Sequence, residues 1–134
     1  MHFGPVIALL LALVATPVVR VVDRPIHVSP DGKSHVQLIL EGGEASMSRI
    51  TAFPGAAIPV HVHPHSDEVL LIEAGAGIMT LGDKIIQIRA GQAIRIPKGT
   101  KHSFVQTGKG PLRAVQVYAP PGPEQRFKKW RVLK

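Results

Sequence analysis

Short apolar segments separated by glycine and proline turns are the main pattern of this chain. Within these segments apolar and polar residues tend to alternate, as expected for strands with one buried face. Helical periodicity is weak everywhere except in residues 124–130. The pattern therefore predicts an all-β fold, with the clearest strands at residues 35–40, 45–53, 68–73, 78–81, 84–89 and 112–118.

The first 22 residues are the most apolar part of the chain. Residues 6–15 form an unbroken apolar run, followed by Thr16 and Pro17, which has the size of a signal-peptide core. The run is shorter than the roughly 20 residues that span a bilayer, so we expect no stable transmembrane span. We expect a signal peptide and export to the periplasm or medium. Because no Lys or Arg precedes the run, the alternatives are an N-terminal strand and a cytoplasmic protein.

Length and composition favour one folded domain without cysteine chemistry. A chain of 134 residues has room for a single core. The absence of cysteine excludes disulfides, thiolate metal ligands and a cysteine nucleophile. We divide the chain into an apolar N-terminal segment (1–22), a folded domain (23–122) and a basic C-terminal tail (123–134).

The net charge of +7 does not by itself indicate a nucleic-acid partner. Basic residues are mostly scattered, and only 4% of residues are aromatic, which leaves few rings for base stacking. We therefore predict no nucleic-acid binding. Charge is clustered only in the tail, where Phe127 and Trp130 are expected to pack against the domain.

Metal-ligating side chains are concentrated in two short stretches. His61 and His63 lie two residues apart, so on an extended strand both point to one face. A turn follows, and Glu68 opens the next apolar run, from which its carboxylate can fold back toward the histidines. His102 follows a similar turn and completes a set of three imidazoles and one carboxylate. Such a set suits Fe, Mn, Ni, Cu, Co or Zn, whereas Mg and Ca prefer oxygen ligands.

The spacing of these residues resembles the two sequence motifs of the cupin superfamily. The first motif, G-x5-H-x-H-x4-E-x6-G, is complete, and the second, G-x5-P-x-G-x2-H-x3-N, differs only at its last position, where this chain has Gln106. The resemblance implies a small single-domain cupin with a double-stranded β-helix, or jelly-roll-like, barrel. It also implies that one divalent metal is held by His61, His63, Glu68 and His102. The motif positions are Gly55, His61, His63, Glu68, Gly75, Gly91, Pro97, Gly99 and His102.

Strand alternation predicts a mainly apolar pocket beside this group. Residues in phase with Glu68 and His102 should face the same cavity, and His65 is a candidate for holding a ligand at its mouth. An arginine turned inward would favour a carboxylate substrate, and strand phase leaves Arg49, Arg95 and Arg113 open. The predicted pocket residues are Leu70, Ile72, Phe104 and Gln106.

Two functions are compatible with this site, and no catalytic residue beyond the ligands is assigned. Four protein ligands leave one or two open positions on the metal, which suits a small-molecule dioxygenase, another oxidoreductase or an isomerase. The alternative is a non-catalytic module, such as a sensor or stress protein, that holds a metal or small ligand. In either case we expect a small-molecule ligand, and a homodimer formed through sheet edges.

Overall fold

The computed structural model describes residues 1–4 and 16–134, which form antiparallel strands and one 3₁₀ helix. The helix, Pro123–Lys129, precedes the last strand and is called the C-terminal 3₁₀ helix below. The strands are β1 (Ile26–Val28), β2 (Ser34–Leu40), β3 (Ser46–Ala52), β4 (Ala57–His61), β5 (Asp67–Ala74), β6 (Ala76–Leu81), β7 (Lys84–Arg89), β8 (Ala93–Ile96), β9 (His102–Gln106), β10 (Leu112–Ala119) and β11 (Arg131–Val132).

Two sheets face each other, and strands distant in sequence are neighbours in both. The first sheet has the order β11-β1-β2-β3-β10-β5-β8, and the second has the order β4-β9-β6-β7. β10 lies between β3 and β5, so that Gln116 is opposite both Ser48 and Leu70. This interleaving of early and late strands is the double-stranded β-helix, and it confirms the all-β prediction.

The core lies between the two sheets and follows the alternation of the strands. On β10 the buried residues are Leu112, Ala114, Gln116 and Tyr118, while the residues between them are more exposed. The first two belong to the main apolar cluster, whereas the last two place polar groups inside the fold. The remaining buried members of the main cluster are Ala52, Ala56, Leu70, Ile72, Met79, Ile88, Ile96 and Phe104.

Gly75 and Gly77 allow β6 to pass close to its neighbours. Gly75 has a φ of 88°, and a Cβ atom there would lie 2.6 Å from Leu112 Cα. A Cβ atom on Gly77 would meet the Phe104 ring and lie 2.8 Å from the Val105 carbonyl oxygen. Neither position has space for a side chain, so glycine is needed for this packing.

Three segments differ from the sequence prediction. β4 ends at His61, so His63 lies in the following loop rather than on the same strand. The stretch with helical periodicity at residues 124–130 is the C-terminal 3₁₀ helix, which begins one residue earlier, at Pro123, because proline fits the first turn of a helix. β11 was not predicted, since two residues carry no readable periodicity.

The C-terminal tail packs against the first sheet, as expected from its aromatic residues. Phe127 is buried in a second apolar cluster with Val36, Leu38 and Tyr118. The Trp130 ring packs edge-on against Phe127, with ring centroids 5.0 Å apart. β11 then pairs with β1, and this fixes the end of the tail to the sheet.

The predictions for the N-terminal segment are only partly covered by the structure. Residues 5–15, which carry most of the signal-peptide prediction, lie outside the described residues. Among residues 16–25 there is no strand, and the first strand of the described residues begins at Ile26. Within the described residues, no helix has the length and apolar character needed to cross a membrane.

Candidate metal centre

Four side chains from both sheets meet at one end of the barrel. His61 ends β4 and His102 begins β9, and the pairing of these strands places the two residues opposite each other. Glu68, near the start of β5, comes from the other sheet, and His63 comes from the loop after β4. One potential ligand atom from each residue lies within 4.8 Å of all the others. The structure thus brings together the four residues that the sequence singled out.

The carboxylate of Glu68 is the centre of this group. Its Oε2 atom lies 3.2 Å from His102 Nε2 and 3.3 Å from His63 Nε2. The His61 ring completes the arrangement, with its centroid 4.1 Å from that of His102 and 4.9 Å from that of His63. His63, Glu68 and His102 are buried, whereas His61 is half-buried.

Backbone carbonyls fix the orientation of two of the imidazoles. His61 Nδ1 is 2.8 Å from the Pro59 carbonyl oxygen, and His102 Nδ1 is 2.8 Å from that of Thr100. A carbonyl oxygen only accepts hydrogen bonds, so each Nδ1 carries the proton. In the neutral rings Nε2 then has a free lone pair, as metal-ligating histidines require.

The polar atoms of the centre fit a metal cation. His63 Nε2 is buried without a hydrogen-bond partner, although the Glu68 carboxylate lies nearby. The lone pair of neutral His102 Nε2 faces a carboxylate oxygen, a repulsive arrangement unless a proton or a metal ion lies between them. With metal–ligand bonds of about 2.1 Å, neighbouring ligand atoms are roughly 3.0–3.4 Å apart. The observed separations of 3.2 and 3.3 Å agree with this spacing.

The surroundings of the centre shift the pKa of three of its groups. Burial alone would raise the pKa of Glu68, but the His102 and His63 imidazoles and the Gln116 amide lower it to about 2. Burial, assisted by the neighbouring imidazoles, lowers the pKa of His61. Burial is the largest single effect on His102 and opposes its protonation, but the hydrogen bonds to Glu68 and to the Thr100 carbonyl and the charge of Glu68 together raise the pKa of this imidazole.

Two buried residues that the sequence prediction missed form a hydrogen-bonded chain to Glu68, on the side of its carboxylate away from the histidines. Gln116 Nε2 donates hydrogen bonds to Glu68 Oε1, at 2.6 Å, and to Tyr118 Oη, at 2.7 Å. Tyr118 is fully buried, and burial followed by the charge of Glu68 raises the pKa of its hydroxyl. Gln116 and Tyr118 alternate along β10 with the same period as buried Leu112 and Ala114. This alternation could have predicted from the sequence that both side chains point into the fold.

A cavity of about 380 Å³ extends from the centre into the barrel. His61, Glu68 and His102 form part of its wall, whereas most of the remaining lining is apolar. The predicted pocket residues Leu70, Ile72 and Phe104 all line it. A ligand in this cavity would therefore contact the metal-ligating group and an apolar surface together.

Two other predicted pocket residues lie elsewhere. Gln106 does not line the cavity, because its amide donates hydrogen bonds to the carbonyl oxygens of Gly110, at 2.6 Å, and Ala52, at 3.2 Å. It connects neighbouring backbone segments instead of orienting a ligand, which corrects the prediction. His65 is exposed and lies with His63 on a second pocket outside the cavity.

The cavity arginine also differs from the three candidates. Arg49, Arg95 and Arg113 do not line the cavity, and Arg95 forms an exposed ion pair with Asp67, 3.6 Å between Nη1 and Oδ2. The arginine that does line it is Arg126, on the C-terminal 3₁₀ helix. Sequence alternation could not reveal it, because its position depends on how the tail packs onto the sheet.

Comparison with known proteins agrees with this architecture. Residues 48–118, more than half of the chain, match the family model described as the cupin domain. The chain therefore belongs to the cupin family. The match spans the whole metal-ligating group and ends at Tyr118.

Several curated proteins are similar to the same region. SchB of Streptomyces halstedii is 39% identical over 70 residues, which cover 52% of this chain and 51% of that protein. The uncharacterized protein YrkC of Bacillus subtilis is 36% identical over 73 residues, covering 50% of this chain and 39% of that protein. The xanthan biosynthesis protein XanB of Xanthomonas campestris is 32% identical over 76 residues, which cover 57% of this chain and 16% of that protein. The similarity thus spans about half of these relatives or less.

Solved structures show the same fold at lower sequence identity. A predicted oxalate decarboxylase from Thermotoga maritima superposes with a TM-score of 0.69 at 24% identity, covering 78% of this chain and 100% of that chain. KdgF from a Halomonas species superposes with a TM-score of 0.66 at 16% identity, covering 74% of this chain and 89% of that chain. At these identities the likeness concerns the fold alone.

Proposed function

We propose that this protein is a metal-binding cupin that acts on a small molecule as an oxygenase or another oxidoreductase. The observation that carries the proposal is the convergence of three imidazoles and one carboxylate at the wall of an apolar cavity. His61, His63, Glu68 and His102 would hold one divalent transition metal. Four protein ligands leave one or two positions open on such an ion, facing a cavity that can hold a substrate.

The bound metal would supply redox or Lewis-acid chemistry, and the protein residues would position the ligands and the substrate. The carbonyls of Pro59 and Thr100 orient the imidazoles of His61 and His102. Gln116 donates a hydrogen bond to Glu68 Oε1, the carboxylate oxygen that faces away from the imidazoles. The apolar wall excludes water from the part of the substrate that lies beside the centre.

Metal content tests the ligand assignment directly. Protein purified from its native host without an affinity tag should contain about one transition-metal ion per chain by elemental analysis. His61→Ala should lose most of this metal, whereas His65→Ala, which alters an exposed histidine outside the group, should retain it. Unchanged metal content in His61→Ala would refute the ligand assignment.

Oxygen uptake separates the enzyme from the alternative of a non-catalytic binding module. The metal-loaded protein should consume oxygen with at least one substrate from a panel of diketones, thiols, flavonols and small acids, and His61→Ala should not. Metal binding without turnover or oxygen uptake would favour a sensor or stress protein that holds a metal or small ligand. This alternative stays open because no catalytic residue beyond the metal ligands has been assigned.

We also propose a homodimer. The outer face of the four-stranded sheet carries Ile78, Ile85 and Val105, which are 37%, 74% and 50% exposed. The first two are on adjacent strands, and Val105 is paired with Ile78, so these side chains form one apolar surface. Light scattering should give twice the chain mass, and Ile85→Lys should give a monomer if this surface forms the contact.

Export remains our proposal for localisation, and it rests on the apolar run at residues 6–15. The test is fractionation of the native host followed by intact-mass measurement. A shortened chain in the periplasm or medium would support export. A full-length chain in the cytoplasm would refute it.

A further inference from the structure

Arg126 brings a positive charge from the C-terminal 3₁₀ helix to the wall of the metal-site cavity. It lines the same cavity as His61, Glu68 and His102, and it also borders the second pocket, on which His63 and His65 lie. The remaining lining of the main cavity is mostly apolar. Among the described residues of the lining, Arg126 is therefore the one whose positive charge can recognise an anionic group.

The side chain of Arg126 is exposed, and its contacts leave the charge of the guanidinium unneutralised. Nη2 donates a hydrogen bond of 3.4 Å to Tyr118 Oη, and the guanidinium carbon lies 4.6 Å from the centre of the Phe127 ring. Among the ion pairs of the described residues, none includes Arg126. Arginine has five N–H donors, so several stay available to a ligand.

The nearby carboxylates have other partners. Glu41 pairs with Lys128, with 2.7 Å between Oε1 and Nζ, and the Gly122 amide donates a hydrogen bond of 2.6 Å to Glu124 Oε2. Glu68 directs one oxygen to the imidazoles and the other to Gln116. Asp31, the other carboxylate of the lining, accepts hydrogen bonds from Ser29 Oγ and the Lys33 amide. A divalent metal and Arg126 together would thus carry three positive charges against the two negative charges of Glu68 and Asp31.

We propose that the cavity binds a small organic acid with an apolar body, and that Arg126 is the residue that selects its carboxylate. The proposal rests on the metal-binding function proposed above, which provides the second polar anchor. The planar guanidinium matches a carboxylate in a bidentate arrangement. The apolar lining accommodates the hydrocarbon part, and the volume of about 380 Å³ suits a small molecule.

Trp130 provides a direct readout of binding. It is the single tryptophan of the chain, and it lines the cavity. Zn-loaded protein should therefore be titrated with straight-chain carboxylates from butanoate to octanoate, and with the corresponding neutral amides, while tryptophan fluorescence is recorded. Wild-type protein should bind at least one carboxylate about ten- to a hundredfold more tightly than its amide, as expected for a hydrogen-bonded charge pair.

Substitution of Arg126 tests the assignment of this preference. Arg126→Gln should abolish the preference for the carboxylate over the amide, and Arg126→Lys should restore part of it. Lys129→Gln is the matched control, because it removes a positive charge from the same helix at an exposed position outside the cavity lining. It should bind both probes as the wild type does. Metal content of all three variants should equal that of the wild type.

The outcomes separate this inference from the metal-binding function. Equal affinity for carboxylates and amides in the wild type, or no fluorescence response across the series, would overturn the inference even if the metal is bound. A preference that survives in Arg126→Gln would also overturn it. Failure to load any metal, combined with an Arg126-dependent preference, would refute the proposed function and leave the carboxylate subsite standing.

Discussion

Gln116 holds the carboxylate of Glu68 on the side opposite the histidines. Its Nε2 donates to Glu68 Oε1 at 2.6 Å, while Oε2 faces His63 and His102. The amide is itself buried between strands and bonded to Tyr118. Glu68 is therefore positioned by a residue 48 positions away in the sequence, through the pairing of β5 with β10.

Removing this support should weaken metal binding without removing a ligand. We expect Gln116→Leu to lower metal affinity about 10- to 100-fold, as is typical when a residue that orients a metal ligand is lost. Competition with a fluorescent chelator measures the affinity. Gln87→Leu, an exposed glutamine on β7, is the control and should keep wild-type affinity. Equal affinities for both variants would contradict a positioning role for Gln116.

The metal-free protein should show a pH-dependent contribution from the pair formed by Glu68 and His102. The stability from Glu68 is present above its ordinary pKa of 4.5 and is lost as pH falls toward about 2. The stability from His102 is complete below its ordinary pKa of 6.5 and is lost as pH rises through its raised folded value. The pair should therefore stabilise the fold most between about pH 4.5 and 6.5.

Urea unfolding of chelator-treated protein measures this contribution. The difference in unfolding free energy between wild type and Glu68→Gln should be largest in that pH window and decrease on both sides. Glu73→Gln, at an exposed carboxylate on the same strand, is the control. Metal affinity should instead fall steadily toward acidic pH, because protons compete with the metal for the imidazoles. A pH-independent difference for Glu68→Gln would exclude the charged pair.

The close approach of β6 to β9 gives a third prediction. Gly77→Ala places a methyl group against the Phe104 ring and the Val105 carbonyl, and Phe104 lines the cavity. We expect a loss of about 1–3 kcal/mol in unfolding free energy, as in other overpacked cores. Denaturant unfolding tests this, with Gly110→Ala as the control, since no atom lies within 4 Å of the added methyl there. Equal stability of the two variants would show that Phe104 can move aside freely.

The packing of the C-terminal tail gives a fourth prediction. Phe127 is only 3% exposed and contacts the second apolar cluster, so Phe127→Ala should cost about 3–5 kcal/mol. Limited proteolysis with trypsin should then cleave rapidly after Lys128 and Lys129, because the tail no longer holds to the sheet. Lys129→Ala, at an exposed site, should leave stability near that of the wild type. Slow cleavage of Phe127→Ala would mean that β11 alone holds the tail.

Sequence spacing was informative for the residues that are close together in the chain. His61, His63 and Glu68 lie within eight positions, and His102 follows a similar turn, so a local pattern could bring all four to notice. The turn residues also marked most strands, and β7 has the predicted bounds. Turn chemistry and alternation depend on neighbouring residues alone, which explains this success.

The parts that were missed depend on contacts between distant residues. Gln116 reaches Glu68 only because β10 is paired with β5, and Arg126 reaches the cavity only because Phe127 packs beneath it. Gln106 was assigned to the pocket by its phase on β9, yet its long side chain bends to backbone carbonyls instead. The position of a residue in the strand alternation predicts the face of the sheet from which its side chain projects. It does not predict which partners the terminal amide of a flexible side chain will contact.

The pairing of β1 with β11 places the two ends of the folded region side by side. The Leu133 amide donates a hydrogen bond of 2.8 Å to the Ile26 carbonyl oxygen. A short linker could therefore join residue 133 to residue 26, and the polypeptide could be reopened at the exposed hairpin turn of Gly82 and Asp83. We expect such a circular permutant to keep every strand pairing. The centre would then assemble with the second motif preceding the first along the chain.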